Sequence, residues 1–183
     1  MNTAEEGQLW DYYYDAMEEI ELGRLPDAEK LLEMALRLDP DFVAAHVGMV
    51  AVNHEVGYYN GVREYSESGY TATKKQFPNW PRELPWGVTE NRQYLRAICN
   101  KAALHQFDCQ DVEADKLYRL ILKLNPKDNQ GVRYLLAGMY AGLSPNDVDD
   151  MFDYGNSKQN WDDLRIMLEE ENDRHNFWKP HEI

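Results

Sequence analysis

The chain has 183 residues, the length of a single domain, and 43% of them are apolar, which is enough for a continuous hydrophobic core. The formal net charge of −14 disfavours nucleic-acid and anionic membrane partners, which need clustered lysine and arginine, and mildly favours basic partners. The sequence shows neither a secretory signal pattern nor an apolar run of about 18 residues, and its two cysteines form no CxxC pair, so we expect a cytoplasmic protein without metal or cofactor.

Residues 9–40 predict a first pair of helices. Within this range, residues 25–40 carry apolar side chains at the spacing of one helical face, with small Ala28 and Ala35 where a neighbouring helix must approach closely. Gly23 ends the first helix and Pro40 the second, because proline cannot continue the backbone hydrogen bonding. Both alanines should therefore be buried at helix contacts.

Residues 41–76 predict a second, degenerate helix pair, and a loop over 77–89 follows it. Three prolines in this loop forbid a helix, and its two tryptophans are large enough to anchor it. We expect the loop to be ordered, with Trp80 or Trp86 largely buried. The alternative is that these tryptophans contact a ligand.

Residues 90–126 predict a third pair, because residues 111–126 repeat the pattern of residues 25–40 without a gap. We expect Ala114 to be buried like Ala28. Six aligned pairs are identical: Ala28/Ala114, Lys30/Lys116, Leu31/Leu117, Leu36/Leu122, Leu38/Leu124 and Pro40/Pro126.

The remainder predicts a partial fourth pair over 128–155 and a capping helix over 160–176. Asp128 is the expected N-cap of the first helix, and Ser144 opens the second with Asp147 in a capping-box position. The capping helix, with Asn160 as N-cap, should seal the open end of the core with Trp161, Leu164, Ile166, Met167 and Leu168.

These helix pairs resemble the tetratricopeptide repeat, whose period is about 34 residues. The first copy places Tyr12, Ala16, Gly23, Ala28, Leu32, Ala35 and Pro40 at the positions of that family; the later copy keeps Ala102, Ala114, Tyr118 and Pro126. It has Cys109 where the family prefers glycine, and Ile121 for alanine. The resemblance implies an all-α, right-handed α-solenoid of three to four helix pairs with a C-terminal capping helix.

A second resemblance covers residues 84–136, which are similar to uncharacterised microbial tetratricopeptide-like proteins and to the suppressor-of-tumorigenicity-seven family. It supports a helical-repeat fold and implies no particular chemistry. The residues that carry it are Asn91-Arg92, Tyr94, Arg96, Leu124-Asn125-Pro126, Asp128-Asn129-Gln130-Gly131 and Arg133-Tyr134.

First helices line the concave face of tetratricopeptide repeats, so the resemblance also implies a groove. Three arginines, Arg92, Arg96 and Arg133, stand out near this groove. A guanidinium group can bind a carboxylate through two parallel hydrogen bonds. Alternatively they pair with local acids, Arg92 with Glu90 or Asp128, and the others with Asp128 or Asp111. The expected groove residues are Tyr13, Met17, Val47, His54, Arg92, Arg96, Arg133 and Tyr140, with Ala51 among the small residues between them.

No Walker loop, GxSxG or GxGxxG motif occurs, and HEVGY lacks the second histidine of a zinc-protease helix. The leading hypothesis is therefore a non-enzymatic interaction module or scaffold that binds a peptide or protein segment, with an acidic or carboxylate group of that segment as one option for recognition. One alternative is a small-ligand or enzymatic pocket at the Trp80/Trp86 loop. Another is a structural subunit that associates with itself as a homodimer.

Overall fold

The computed structural model describes residues 3–179, and this part of the chain is all-α, with no strand within it. Its helices overlap those that the sequence predicts, although the first begins at Thr3 rather than at residue 9 and the seventh at Val132 rather than at residue 128. They are α1 (Thr3–Glu21), α2 (Leu25–Leu38), α3 (Val43–Glu55), α4 (Tyr59–Gln76), α5 (Thr89–Phe107), α6 (Asp111–Leu124), α7 (Val132–Tyr140), α8 (Pro145–Lys158) and α9 (Asp162–His175).

The chain divides into two compact units. The first contains the described residues up to Trp80 together with Val88–Lys101, and so holds α1 to α4 and most of α5. The second contains Pro81–Gly87 and the described residues from Ala102 onward.

Small residues set the packing of the first unit. Ala28 and Ala35 on α2 are fully buried, which confirms the prediction that they lie at helix contacts, and Ala114 is fully buried in the second unit. Gly48 on α3 has the same role, because a β-carbon there would press against Leu32. The core around them consists of buried Leu9, Tyr13, Ala16, Leu32, Met49 and Val52.

The turns after α1 and α5 repeat the same backbone geometry. Gly23 has φ +71°, and Cys109, its counterpart in the later copy, has φ +56°. In both turns the next residue, Arg24 or Gln110, donates its N–H to the carbonyl of the residue five positions earlier, at 2.8 Å. Glycine adopts this left-handed conformation freely, whereas cysteine does so at a cost in free energy. The two copies therefore share a turn, and Cys109 is its strained version.

His46 is a buried histidine of α3. Its Nε2 lies 2.9 Å from the carbonyl oxygen of Pro40, and since that oxygen only accepts, Nε2 carries the proton. Burial lowers the pKa of His46, the nearby carboxylates of Asp39 and Asp41 oppose this shift, and Lys75 adds to it. We therefore assign a neutral ring that holds the start of α3 to the preceding turn.

The loop between α4 and α5 is non-helical, as the prolines predict. Its buried residue is Leu84, which is only 4% exposed and whose backbone N–H donates to the carbonyl of Leu124 at 2.7 Å. Trp80 and Trp86 are both partly buried rather than fully buried like Leu84, so the expectation that one of them is largely buried is met only in part. Trp80 lies beside Phe77 instead, with the ammonium group of a lysine 4.4 Å from its ring centroid.

The start of α8 carries the predicted capping box, with Ser144 and Asp147 each accepting from the backbone of the other. At the start of α9 the N-cap is Trp161 and not Asn160 as the sequence predicts, although Asn160 accepts from the backbone N–H of Asp162 at 2.8 Å. Fewer residues of α9 cover the core than the sequence predicts. Leu164 and Leu168 are buried as expected, but Trp161 and Ile166 are exposed. Among residues 3–179, no helix has the length and apolar character needed to cross a membrane.

Candidate functional site

A groove of about 600 Å³ lies in the first unit, between α1, α3 and α5. We call it the α1/α3/α5 groove. The structure brings five of the eight predicted site residues together here, and the small residue expected between them lies among them. They are Tyr13, Met17, Val47, His54 and Arg96, with Ala51 beside them.

Helical periodicity explains the apolar wall of the groove. Val47, Val50 and His54 follow one another at intervals of three and four residues, so they lie on one face of α3. Met17 faces them from α1. Methionine is flexible and polarisable, and it adapts to partners of different shape. This wall suits an apolar side chain of a ligand.

The polar part of the groove connects α1 with α5. Tyr13 is 5% exposed, and its hydroxyl accepts a hydrogen bond from Nε2 of buried Gln93 at 3.0 Å. Arg96, one turn further along α5, is half-buried and close to the same hydroxyl. Burial raises the pKa of Tyr13, while the positive charge of Arg96 and the bond from Gln93 oppose that rise. The phenol therefore stays protonated at neutral pH, with a guanidinium next to it.

Arg92 is half-buried on α5 and lies outside the set of residues that line the groove. Arg133, in the second unit, is engaged locally. Its Nη1 donates to the buried carboxylate of Asp128 at 3.0 Å, and its guanidinium lies 4.6 Å and 4.9 Å from the ring centroids of Tyr134 and Trp178. This is the local ion pair that the sequence offers as the alternative to a binding site.

The prediction that Asp128 is the N-cap of α7 is wrong, because Gly131 holds that position, but the side chain of Asp128 reaches the first helical N–H groups from three residues upstream. Its two carboxylate oxygens accept from the backbone N–H groups of Val132 and Arg133, at 2.8 and 3.0 Å, at the start of α7. Burial raises the pKa of Asp128, and the bonds from Arg133 and Val132 oppose that rise. Asp128 and Arg133 thus form one structural unit at the start of α7.

Tyr140 belongs to a polar cluster of the second unit. Its hydroxyl donates to Asp115 and accepts from Nη2 of Arg119 at 2.8 Å, and its ring stacks on His175 with the centroids 3.8 Å apart. Burial raises the pKa of Tyr140, and the bond to Asp115 adds to the rise. The cluster links α6, α7 and α9. Its other members escape sequence analysis, because they lie 21 to 35 positions from Tyr140 along the chain.

A smaller cavity of about 330 Å³ lies in the second unit, where the loop residues Pro85 and Trp86 face the turn from Leu124 to Asn129. Asn125 is among its lining residues and is 4% exposed. Its Nδ2 has no hydrogen-bond partner within the described part of the chain. An unpaired buried amide donor is unfavourable, so a ligand that enters this cavity and reaches Nδ2 would gain a hydrogen bond there, which makes the cavity a second candidate for ligand binding.

Within residues 3–179, no group of three or more histidine, cysteine or acidic side chains is arranged to hold a metal ion. Comparison of the chain with family models, with curated proteins and with solved structures finds no match.

Proposed function

We propose that the protein is a non-enzymatic interaction module that binds a segment of a protein partner in the α1/α3/α5 groove. The observation that carries the proposal is the groove itself. Three helices supply an apolar wall from Met17 and Val47 and the guanidinium of Arg96 within one concavity of about 600 Å³, whose lining also includes the carboxylates of Glu21 and Glu55. Apolar contact supplies affinity to such a ligand, and a guanidinium selects a carboxylate in it.

We further propose that the helix pairs α1–α2 and α3–α4 are tetratricopeptide-like repeats. Buried Ala28 and Ala35, and the left-handed residue that ends the turn after α1, support this assignment. The matching turn at Cys109 supports a further copy of the repeat. The solenoid arrangement and the cytoplasmic location remain predictions of the sequence.

Selection of random linear peptides displayed on phage tests the groove. Ala51 is exposed and lines the groove, so Ala51→Trp fills the concavity without disturbing the core. Thr71→Trp places the same exposed ring on α4, away from the groove, and is the matched control.

We expect peptides selected on the wild type to lose at least about tenfold in affinity for Ala51→Trp, which corresponds to about 1.4 kcal/mol. They should bind Thr71→Trp as they bind the wild type. Equal affinity for both variants, or no enriched peptide, would contradict the proposal. Loss of affinity in Arg96→Lys, which keeps the charge but not the fork, would show that the ligand needs the forked guanidinium donor of Arg96.

The second candidate function is small-ligand binding at the cavity beside Trp86, and the unpaired amide of Asn125 favours it. A screen of small fragments, observed by NMR on wild type and on Asn125→Asp, tests this candidate. Fragments with a carbonyl or carboxylate should bind the wild type and lose affinity for Asn125→Asp. Binding that is equal in the two proteins would exclude a role for the amide.

A further inference from the structure

A second concavity in the first unit is independent of the α1/α3/α5 groove. It has a volume of about 400 Å³ and lies where the first half of α1, the turn before α3, the end of α4 and the start of α5 meet. We call it the aromatic cleft. The residues that matter here are Trp10, Phe42 and Tyr94, with the carboxylates of Glu6, Asp39 and Glu90.

Aromatic rings form the walls of the aromatic cleft. The rings of Trp10 and Phe42 pack nearly perpendicular to each other, with the centroids 5.2 Å apart and the planes at 86°. Tyr94 meets Phe77 in the same way, with centroids 4.9 Å apart and planes at 85°. These contacts fix the rings of Trp10 and Tyr94, both of which remain half-buried and line the cleft. Fixed aromatic faces attract cations through their quadrupoles.

The charge of the aromatic cleft is negative. Four carboxylates and one ammonium group line it, a formal charge of −3. The ammonium is that of Lys75, which donates to both carboxylate oxygens of Asp41, at 2.6 and 2.9 Å, so these two charges compensate each other. Glu6, Asp39 and Glu90 remain. The pKa of Tyr94 is raised, first by burial and then by Glu90 and Asp39, in agreement with a negative potential around the ring.

We infer that the aromatic cleft takes an arginine side chain presented by a basic segment of a protein partner. A guanidinium stacks on an aromatic face and at the same time donates in its plane to carboxylates, which an ammonium cannot do. The net charge of −14 attracts such a segment over a longer range. The aromatic cleft thus recognises a chemistry opposite to that of the guanidinium in the α1/α3/α5 groove.

The test uses a short, capped glycine–serine peptide with two arginines, and a twin in which both are citrulline, which has the same shape without the charge. Binding is measured at physiological salt, where long-range attraction is screened. The cleft variant is Asp39→Asn/Glu90→Gln. Its matched control is Asp15→Asn/Glu29→Gln, which removes two negative charges from exposed positions on α1 and α2, outside the cleft.

We expect the arginine peptide to bind the wild type and to lose about tenfold in affinity for the cleft variant, the size of a partly desolvated cation–π contact together with an ion pair. The control variant should lose less than about threefold, which is the scale of one exposed ion pair. The citrulline peptide should bind at least about tenfold more weakly than the arginine peptide. Ala51→Trp, which fills the other groove, should leave the arginine peptide unaffected.

Three results would overturn the inference. The first is an equal loss of affinity in the cleft and control variants, which would show general charge attraction. The second is equal affinity of the citrulline and arginine peptides for the wild type, and the third is no measurable binding of the arginine peptide. Because the α1/α3/α5 groove is tested with other peptides and another variant, each proposal fails or stands separately.

Discussion

The contact between α7 and α8 leads to a prediction about the free energy of unfolding. Whether Gly138→Ala raises or lowers that free energy depends on the neighbouring side chain of Val148. Gly138 lies in the interior of α7 and is buried. A β-carbon added there would come closer to Cγ2 of buried Val148 than real carbon atoms approach. Because Gly138 has no side chain, α8 can pack closely against α7 in the native protein. Gly138→Ala should therefore force the two helices apart.

Two opposing effects decide the magnitude. Alanine improves helix propensity over glycine by about 1 kcal/mol. Overpacking of a buried site costs about 1–3 kcal/mol, and the closeness of this contact places it near the upper end. Gly138→Ala should therefore destabilise the wild type by about 1–2 kcal/mol. In Val148→Ala the obstructing methyl group is gone, so adding Gly138→Ala should stabilise that protein by about 1 kcal/mol.

Urea unfolding followed by circular dichroism measures all four proteins of this double-mutant cycle. The expected coupling energy is about 2–3 kcal/mol, within the range seen for residues in contact. With a denaturant dependence of about 1–3 kcal/mol per molar, the midpoints shift by roughly 0.5–1 M, in opposite directions in the two backgrounds. A change of the same sign and size in both backgrounds would show that Val148 does not limit the space at Gly138.

Three further predictions concern stability. Cys109→Gly should stabilise the protein by about 1 kcal/mol, because glycine adopts the left-handed backbone of this turn without strain, and Gly23→Ala should destabilise it by a similar amount. Urea unfolding checks both variants, and a stabilising effect of Gly23→Ala would contradict the turn geometry. Because burial lowers the pKa of His46, the unfolded chain binds its proton at higher pH, so the unfolding free energy should fall as pH drops below the ordinary value of 6.5, and His46→Gln should flatten that dependence. Arg133→Met should cost about 3–5 kcal/mol, because it leaves the carboxylate of Asp128 buried without its partner; a loss under about 1 kcal/mol would mean that this pair is not buried.

The helices follow from local signals, and the sequence predicts them well. Apolar spacing identifies α2 and α6, and Pro40 and Pro126 place their ends. The loop before α5 has no periodic pattern, so only the size of its side chains is available to predict which of them is buried. Size favours Trp80 and Trp86, whereas the buried residue is Leu84. Which side chain of an irregular loop is buried depends on the shape of the surface beneath it, and one sequence does not encode that shape locally.

The candidate site likewise contains residues that the sequence predicts and residues that it does not. Tyr13, Met17 and Val47 are predictable, because helix periodicity directs them to one face of α1 and of α3. Arg133 also has a sequence signal, since its partner Asp128 lies five positions away. The aromatic cleft has none. It collects Trp10 and Phe42 with residues of α4 and α5, and only the tertiary fold brings them together.

Methyl NMR of protein labelled at its seven methionines gives the most direct measurement of the proposed groove. Met17 lines the α1/α3/α5 groove, whereas Met139 and Met151 lie in the second unit, and Met17→Leu assigns the signal. Titration with a phage-selected peptide should shift or broaden Met17 most and leave Met139 and Met151 in place. The largest change at Met139 or Met151, with Met17 unchanged, would contradict the proposal that this groove binds the partner.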